Sequence, residues 1–69
     1  MDNKIKYLRA LHNMTQEDLA QEVGCTRQTI NAIEKNKYTP SLLLGFKIAE
    51  VLCSLITDVF IYSEGQNNP

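Results

Sequence analysis

The run TQEDLAQEVGCTRQTINAIEKNK, Thr15 to Lys37, decides the fold, because it carries the end signals of two short helices and of the turn between them. Thr15 can cap the free amides of a helix, and Asp18 three residues on completes a capping-box variant. Glu17 and Asp18 suit the positive end of that helix's dipole. Gly24 supplies a left-handed stop. Only Cys25 then separates it from Thr26, a good N-cap for the next helix. Two helices of about eight residues therefore meet across a very short turn, which is a helix-turn-helix.

The second of these helices has two unlike faces. At about 100° per residue, Arg27, Gln28, Asn31, Ala32 and Lys35 fall within an arc of roughly 140°, while Ile30 and Ile33 lie opposite. One side is apolar and the other offers long hydrogen-bonding side chains. Asn36 suits the left-handed position after this helix.

Outward from this core, Ile5, Leu8 and Leu11 recur at helical spacing and predict a first helix from about Asn3 to His12, broken near HNM. KYTPS reads as a loop, with Thr39 as N-cap and Pro40 opening a fourth helix. The expected inner face of that helix is Leu42, Gly45, Phe46, Ala49 and Leu52. SLITDVF predicts a short fifth helix capped by Ser54 that buries Ile56, Val59 and Phe60. The whole is an all-α chain: a compact five-helix domain over residues 1–62, followed by a flexible tail, 63–69.

Sixty-nine residues allow one modest core, and 43% hydrophobic with 22% charged residues is ordinary for a globular chain. The start, MDNKIKYLRA, shows no apolar leader, and the greasiest window, VLCSLITDVFIY, contains Asp58 and is too short to span a bilayer. The expected location is the cytoplasm. Cys25 and Cys53 form no CxxC and His12 is the single histidine, so no metal, cofactor or disulfide framework is expected. No Ser/His/Asp set or phosphate loop supports an enzyme.

Net charge is −1, which argues against a nucleic-acid partner only until its distribution is examined. Residues 1–24 carry −1, residues 25–49 carry +3 and residues 50–69 carry −3. The basic segment contains the two-faced helix.

These residues resemble the phage repressor and Cro type of helix-turn-helix DNA-binding domain, also called the xenobiotic-response-element family. The matching run is TQEDLAQEVGCTRQTINAIEKNKYTPSLLLGFKIAEVL, and the resemblance covers about residues 3–60. Leu19, Ala20, Val23, Gly24, Ile30 and Ile33 occupy the family's packing positions. The resemblance implies a lambda-repressor-like fold and double-stranded DNA as partner, with Arg27, Gln28, Asn31 and Ala32 reading base edges in the major groove. Arg and Gln suit that role because they can bond guanine and adenine in bidentate fashion. Gln16, Thr26, Lys35, Lys37 and Tyr38 are the expected phosphate contacts. The resemblance also pairs Arg9 of the first helix with Glu34. Two positions depart from the family pattern: Gly45, usually alanine or larger, and Cys53, usually Gly or Asn.

Leu43, Leu44, Val51, Leu55 and Ile61 are surplus to one small core and are expected to build a symmetric homodimer contact. Two recognition helices would then enter successive major grooves of a near-palindromic operator. The expected function is a transcriptional regulator, and a repressor by steric exclusion. Two other readings fit the sequence: an antitoxin-like regulator whose surplus apolar surface holds a partner protein, and an interaction module that has lost DNA binding.

Overall fold

Side-chain caps and left-handed residues set the helix bounds in the computed structural model, which describes residues 1–62. The order is β1 (Asp2–Asn3), α1 (Ile5–Leu11), α2 (Gln16–Val23), α3 (Arg27–Glu34), α4 (Leu42–Val51), α5 (Ile56–Val59) and β2 (Phe60–Ile61). Thr15 and Asp18 form the reciprocal capping box: the Asp18 N–H donates to Thr15 Oγ1 at 2.9 Å and the Thr15 N–H donates to Asp18 Oδ2 at 3.0 Å. The Thr15 main-chain N–H, and after it the Thr15 hydroxyl, hold the Asp18 carboxyl below its ordinary pKa. Thr26 caps α3 through the Thr29 N–H.

The first four helices end alike. Asn13, Gly24, Asn36 and Cys53 all have positive φ, and in each case the following N–H reaches back five residues to a helix carbonyl. The bonds are Met14 to Arg9 (2.9 Å), Cys25 to Ala20 (3.0 Å), Lys37 to Ala32 (2.9 Å) and Ser54 to Ala49 (3.0 Å). This is the Schellman type of ending, which satisfies carbonyls that the helix itself leaves open. Asn and Gly are the residues that tolerate it. Cys53 is the exception: its thiol reaches only the Val51 carbonyl, at 4.0 Å, a weak bond beside those that Asn side chains make.

The core is built from Ile5 of α1, Leu19, Ala20 and Val23 of α2, Ile30 and Ile33 of α3, Ile48 and Ala49 of α4, Leu52 and Val59. Each helix gives one stripe, and α2 packs against both α3 and α4. His12 closes the far side: its Nε2–H donates to the Leu52 carbonyl at 3.0 Å, tying the end of α1 to the end of α4.

Several expectations need correction. Asn3 is not helical: with Asp2 it pairs antiparallel with Phe60 and Ile61, so the five-helix domain carries one two-residue ladder among the described residues. Asn3 Oδ1 accepts from the Ile5 N–H instead, which lets α1 begin at Ile5. Leu11 is exposed, since α1 turns that face away from the core after Leu8. Helix α4 is capped by Ser41, whose hydroxyl accepts from the Leu44 N–H, not by Thr39 with Pro40 inside. The buried stripe runs through Gly45, Ile48 and Ala49 to Leu52, so Leu42 and Phe46, on its flank, are 71% and 52% exposed. Ser54 does not cap α5; its hydroxyl donates to the Leu52 carbonyl, and Leu55 precedes the helix without a side-chain cap. Of the residues expected to be buried there, Val59 is fully so, while Ile56 and Phe60 are half-buried. They lie against Gly45, where an added Cβ would meet Ile56 Cδ1 at 3.4 Å and Phe60 Cε2 at 3.5 Å. The expected tail, residues 63–69, lies outside the described residues.

The left-handed endings can be tested by urea denaturation. Gly24→Ala should lose about 1 kcal/mol, because the new Cβ meets open space but the conformation disfavours it. Cys53→Asn should gain up to about 1 kcal/mol by the same reasoning with opposite sign. Equal midpoints for all three proteins would refute the assignment.

Candidate nucleic-acid interface

Helix α3 buries Ile30 and Ile33 and leaves the opposite stripe to solvent. Arg27, Gln28, Asn31 and Lys35 line one shallow hollow on that stripe. Arg27, Gln28 and Lys35 are exposed, while Asn31 and Ala32 are half-buried. The positive charge of Arg27 and Lys35 thus flanks two amide side chains over about two turns of helix.

Beneath the stripe lies a connected polar group. Arg9 of α1 grips Glu34 of α3 with two bonds, Nε to Oε2 at 2.7 Å and Nη2 to Oε1 at 3.1 Å. Its third nitrogen, Nη1, donates to the Met14 carbonyl at 2.9 Å. Only 12% of the Arg9 side chain and 7% of the Glu34 side chain reach solvent. A carboxylate placed there must be paired. The side-chain amide of Gln16, at the first position of α2, donates to Glu34 Oε1 at 3.1 Å and to Asn31 Oδ1 at 3.2 Å. Three helices therefore converge on Glu34. Gln16 spends both amide hydrogens inside the protein, so its side chain keeps only a carbonyl oxygen for any outside partner.

The rim residues are arranged differently. Thr26 uses its hydroxyl on α3, accepting from the Thr29 N–H at 3.2 Å and lying 3.0 Å from Thr29 Oγ1. Lys35, Lys37 and Tyr38 are exposed around the end of α3. Asn3 holds that end from the other side: its Nδ2 donates to the Ile33 carbonyl at 2.9 Å and to Asn36 Oδ1 at 3.0 Å. Asn3 gave no signal in the sequence, because its role depends on the strand pair. Cys25 is half-buried in the turn, and burial pushes its thiol pKa up, which disfavours the thiolate that reacts.

The surplus apolar residues divide. Leu44 and Val51 pack against the core. Leu43 and Leu55 are 66% and 69% exposed, and with Phe46, Lys47 and Glu50 they line an open groove of about 630 Å³ between α4 and α5. Phe46 belongs to this surface and was assigned to the core by the sequence, while Ile61 sits apart in the strand pair.

Residues 5–52 match a family model described as Helix-turn-helix (HTH_3). The chain belongs to the phage repressor and Cro type of helix-turn-helix family. This helix-turn-helix protein is 61% identical over 66 residues to an uncharacterized HTH-type transcriptional regulator of Methanocaldococcus jannaschii, covering 96% of this chain and 100% of the relative. It is 50% identical over 64 residues to the uncharacterized HTH-type regulator YgzD of Bacillus subtilis, covering 93% and 97%. Its fold is similar to the crystal structure of the restriction-modification controller protein C.AhdI from Aeromonas hydrophila, with a TM-score of 0.76, 26% identity and 83% and 86% coverage.

Removing Arg9 leaves Glu34 buried without its cation, so Arg9→Ala should cost about 3 kcal/mol and lower the urea midpoint by roughly 2 M. Circular dichroism during urea titration checks this. An unchanged midpoint would mean the pair does not tie α1 to α3.

Proposed function

We propose that this helix-turn-helix protein is a sequence-reading, double-stranded DNA-binding transcriptional regulator of the cytoplasm, acting as a homodimeric repressor on a near-palindromic operator. The observation that carries it is the α3 stripe: Arg27, Gln28, Asn31 and Lys35 around one hollow, held outward by buried Ile30 and Ile33. An isolated helix with this stripe would be an ordinary solvated face. Here α2 and its cap fix the stripe at the surface, the local charge is positive, and relatives over nearly the whole chain are named as HTH-type transcriptional regulators.

In this reading α3 lies in the major groove. Arg27 and Gln28, at its N-terminal end, read base edges, and Asn31 and Ala32 follow one turn later. Lys35, Lys37, Tyr38 and Thr26 hold phosphates. Gln16 contributes to a phosphate through its main-chain N–H at the start of α2, because its side-chain hydrogens are spent on Glu34 and Asn31.

The α4–α5 groove takes a second copy of the chain. Leu43, Phe46 and Leu55 supply the apolar centre, while Lys47 and Glu50 stand on the same groove. Lys47 and Glu50 give that groove both charge signs, which suits the self-complementary pattern of an isologous contact. Half-sites about 34 Å apart follow, and a dimer seated on a promoter excludes polymerase.

Fluorescence anisotropy with labelled duplex from the gene's own upstream region, across a salt series, tests the DNA reading. Affinity should fall steeply as salt rises. Arg27→Ala should lose about 1 to 3 kcal/mol and relax preference at one base position. Lys35→Ala should weaken all sequences alike and shrink the salt slope by about 1. Weak, salt-insensitive binding by folded protein would favour an interaction module instead. Sedimentation tests the dimer: the parent should sediment as a dimer at micromolar concentration, and Leu43→Glu/Leu55→Glu should remain folded but become monomeric. A monomeric parent would favour a partner protein in the groove.

A further inference from the structure

We infer that Gln16 is a specificity-setting residue that need not touch a base: it fixes the orientation of the Asn31 amide so that Asn31 presents its amino group to the DNA. This rests on the DNA-reading function proposed above.

The polarity of the Arg9–Glu34 pair cannot be exchanged. The Arg9 guanidinium carries only donors, and the Glu34 carboxylate paired with it only accepts. The Gln16 atom at 3.1 Å from Glu34 Oε1 must therefore be its amino nitrogen, not its carbonyl oxygen. That nitrogen's second hydrogen reaches Asn31 at 3.2 Å, so the Asn31 atom facing it must be the carbonyl oxygen. The Asn31 amino group is then the end left to the stripe it shares with Arg27, Gln28 and Lys35. Flipping either amide would set donor against donor or acceptor against acceptor. The orientation of an amide is ordinarily ambiguous; here a mostly buried ion pair removes the ambiguity two residues away.

An outward amino group seeks an acceptor. In the major groove guanine offers two, N7 and O6, whereas cytosine offers only its amino donor. Asn31 should therefore prefer guanine and reject cytosine on the strand it faces. Without Gln16 the Asn31 amide is free to turn, and its carbonyl can accept from the cytosine amino group. Gln16 would then be a positioning residue whose loss changes preference at one base position.

Selection of binding sites from a randomised duplex pool, followed by affinity measurements on single-base variants, tests this with the parent, Gln16→Ala and Asn31→Ala. Guanine should beat cytosine by roughly tenfold at one position in the parent. That ratio should fall to about threefold or less in both variants, with preferences at the positions read by Arg27 and Gln28 unchanged. A parent-like profile in Gln16→Ala, or an even loss at every position, overturns the inference, as does a parent-like profile in Asn31→Ala. A measurement without DNA separates the inner arrangement from the reading. In the free protein, NMR should show both Gln16 side-chain amide protons exchanging slowly with water and those of Asn31 exchanging fast. Fast exchange at Gln16 overturns the inference on its own. Absence of sequence-selective binding by the parent overturns the proposed function, and the reading role of Asn31 with it, even where Gln16 exchange is slow.

Discussion

The Arg9–Glu34 ion pair is the constraint on which the rest of the structure depends. A carboxylate 7% exposed on α3 would be untenable alone. Its partner comes from α1, and the same guanidinium holds the Met14 carbonyl in the bend before α2. Gln16 brings α2 to the same oxygen. Three helices are thereby fixed relative to one another by one polar group, at the level where the apolar stripes alone would allow sliding. Apolar packing chooses which faces meet; directional bonds choose the register.

The two surfaces of interest differ in how they are prepared. The α3 stripe is prepared from beneath, with its half-buried amide already bonded and its charged ends free. The α4–α5 groove is prepared by omission: α4 carries more leucine and phenylalanine than its single buried stripe can take. The way α4 docks sets that division: Gly45, Ile48, Ala49 and Leu52 face inward, and Leu42, Leu43 and Phe46 are left outside.

Much of this was legible in the sequence where local chemistry dictates local structure. Thr15 with Asp18, Thr26, Gly24 and Asn36 announce helix ends, and a cap or a left-handed residue acts within five positions of itself. The family resemblance supplied the Arg9–Glu34 pair, which no periodicity reveals. Thr39 and Ser41 are both good caps, and choosing between them depends on how α4 docks. The Gln16 bond to Asn31 joins two polar residues on different helices, and nothing in either helix's pattern marks it. The two-residue strands are too short to leave an alternation.

That strand pair also bears on the order in which the chain assembles. Asp2 pairs with Ile61 and Asn3 with Phe60, spanning almost the whole described chain, whereas α2 and α3 are joined by a three-residue turn. Closing so long a loop is entropically expensive, so the pair forms after the helices have come together. A contact made late contributes little to the speed of folding and much to the slowness of unfolding. Because Asn3 and Asp2 also hold the carbonyl of Ile33 and the side chain of Asn36, the latch that closes last is the one that steadies the end of α3.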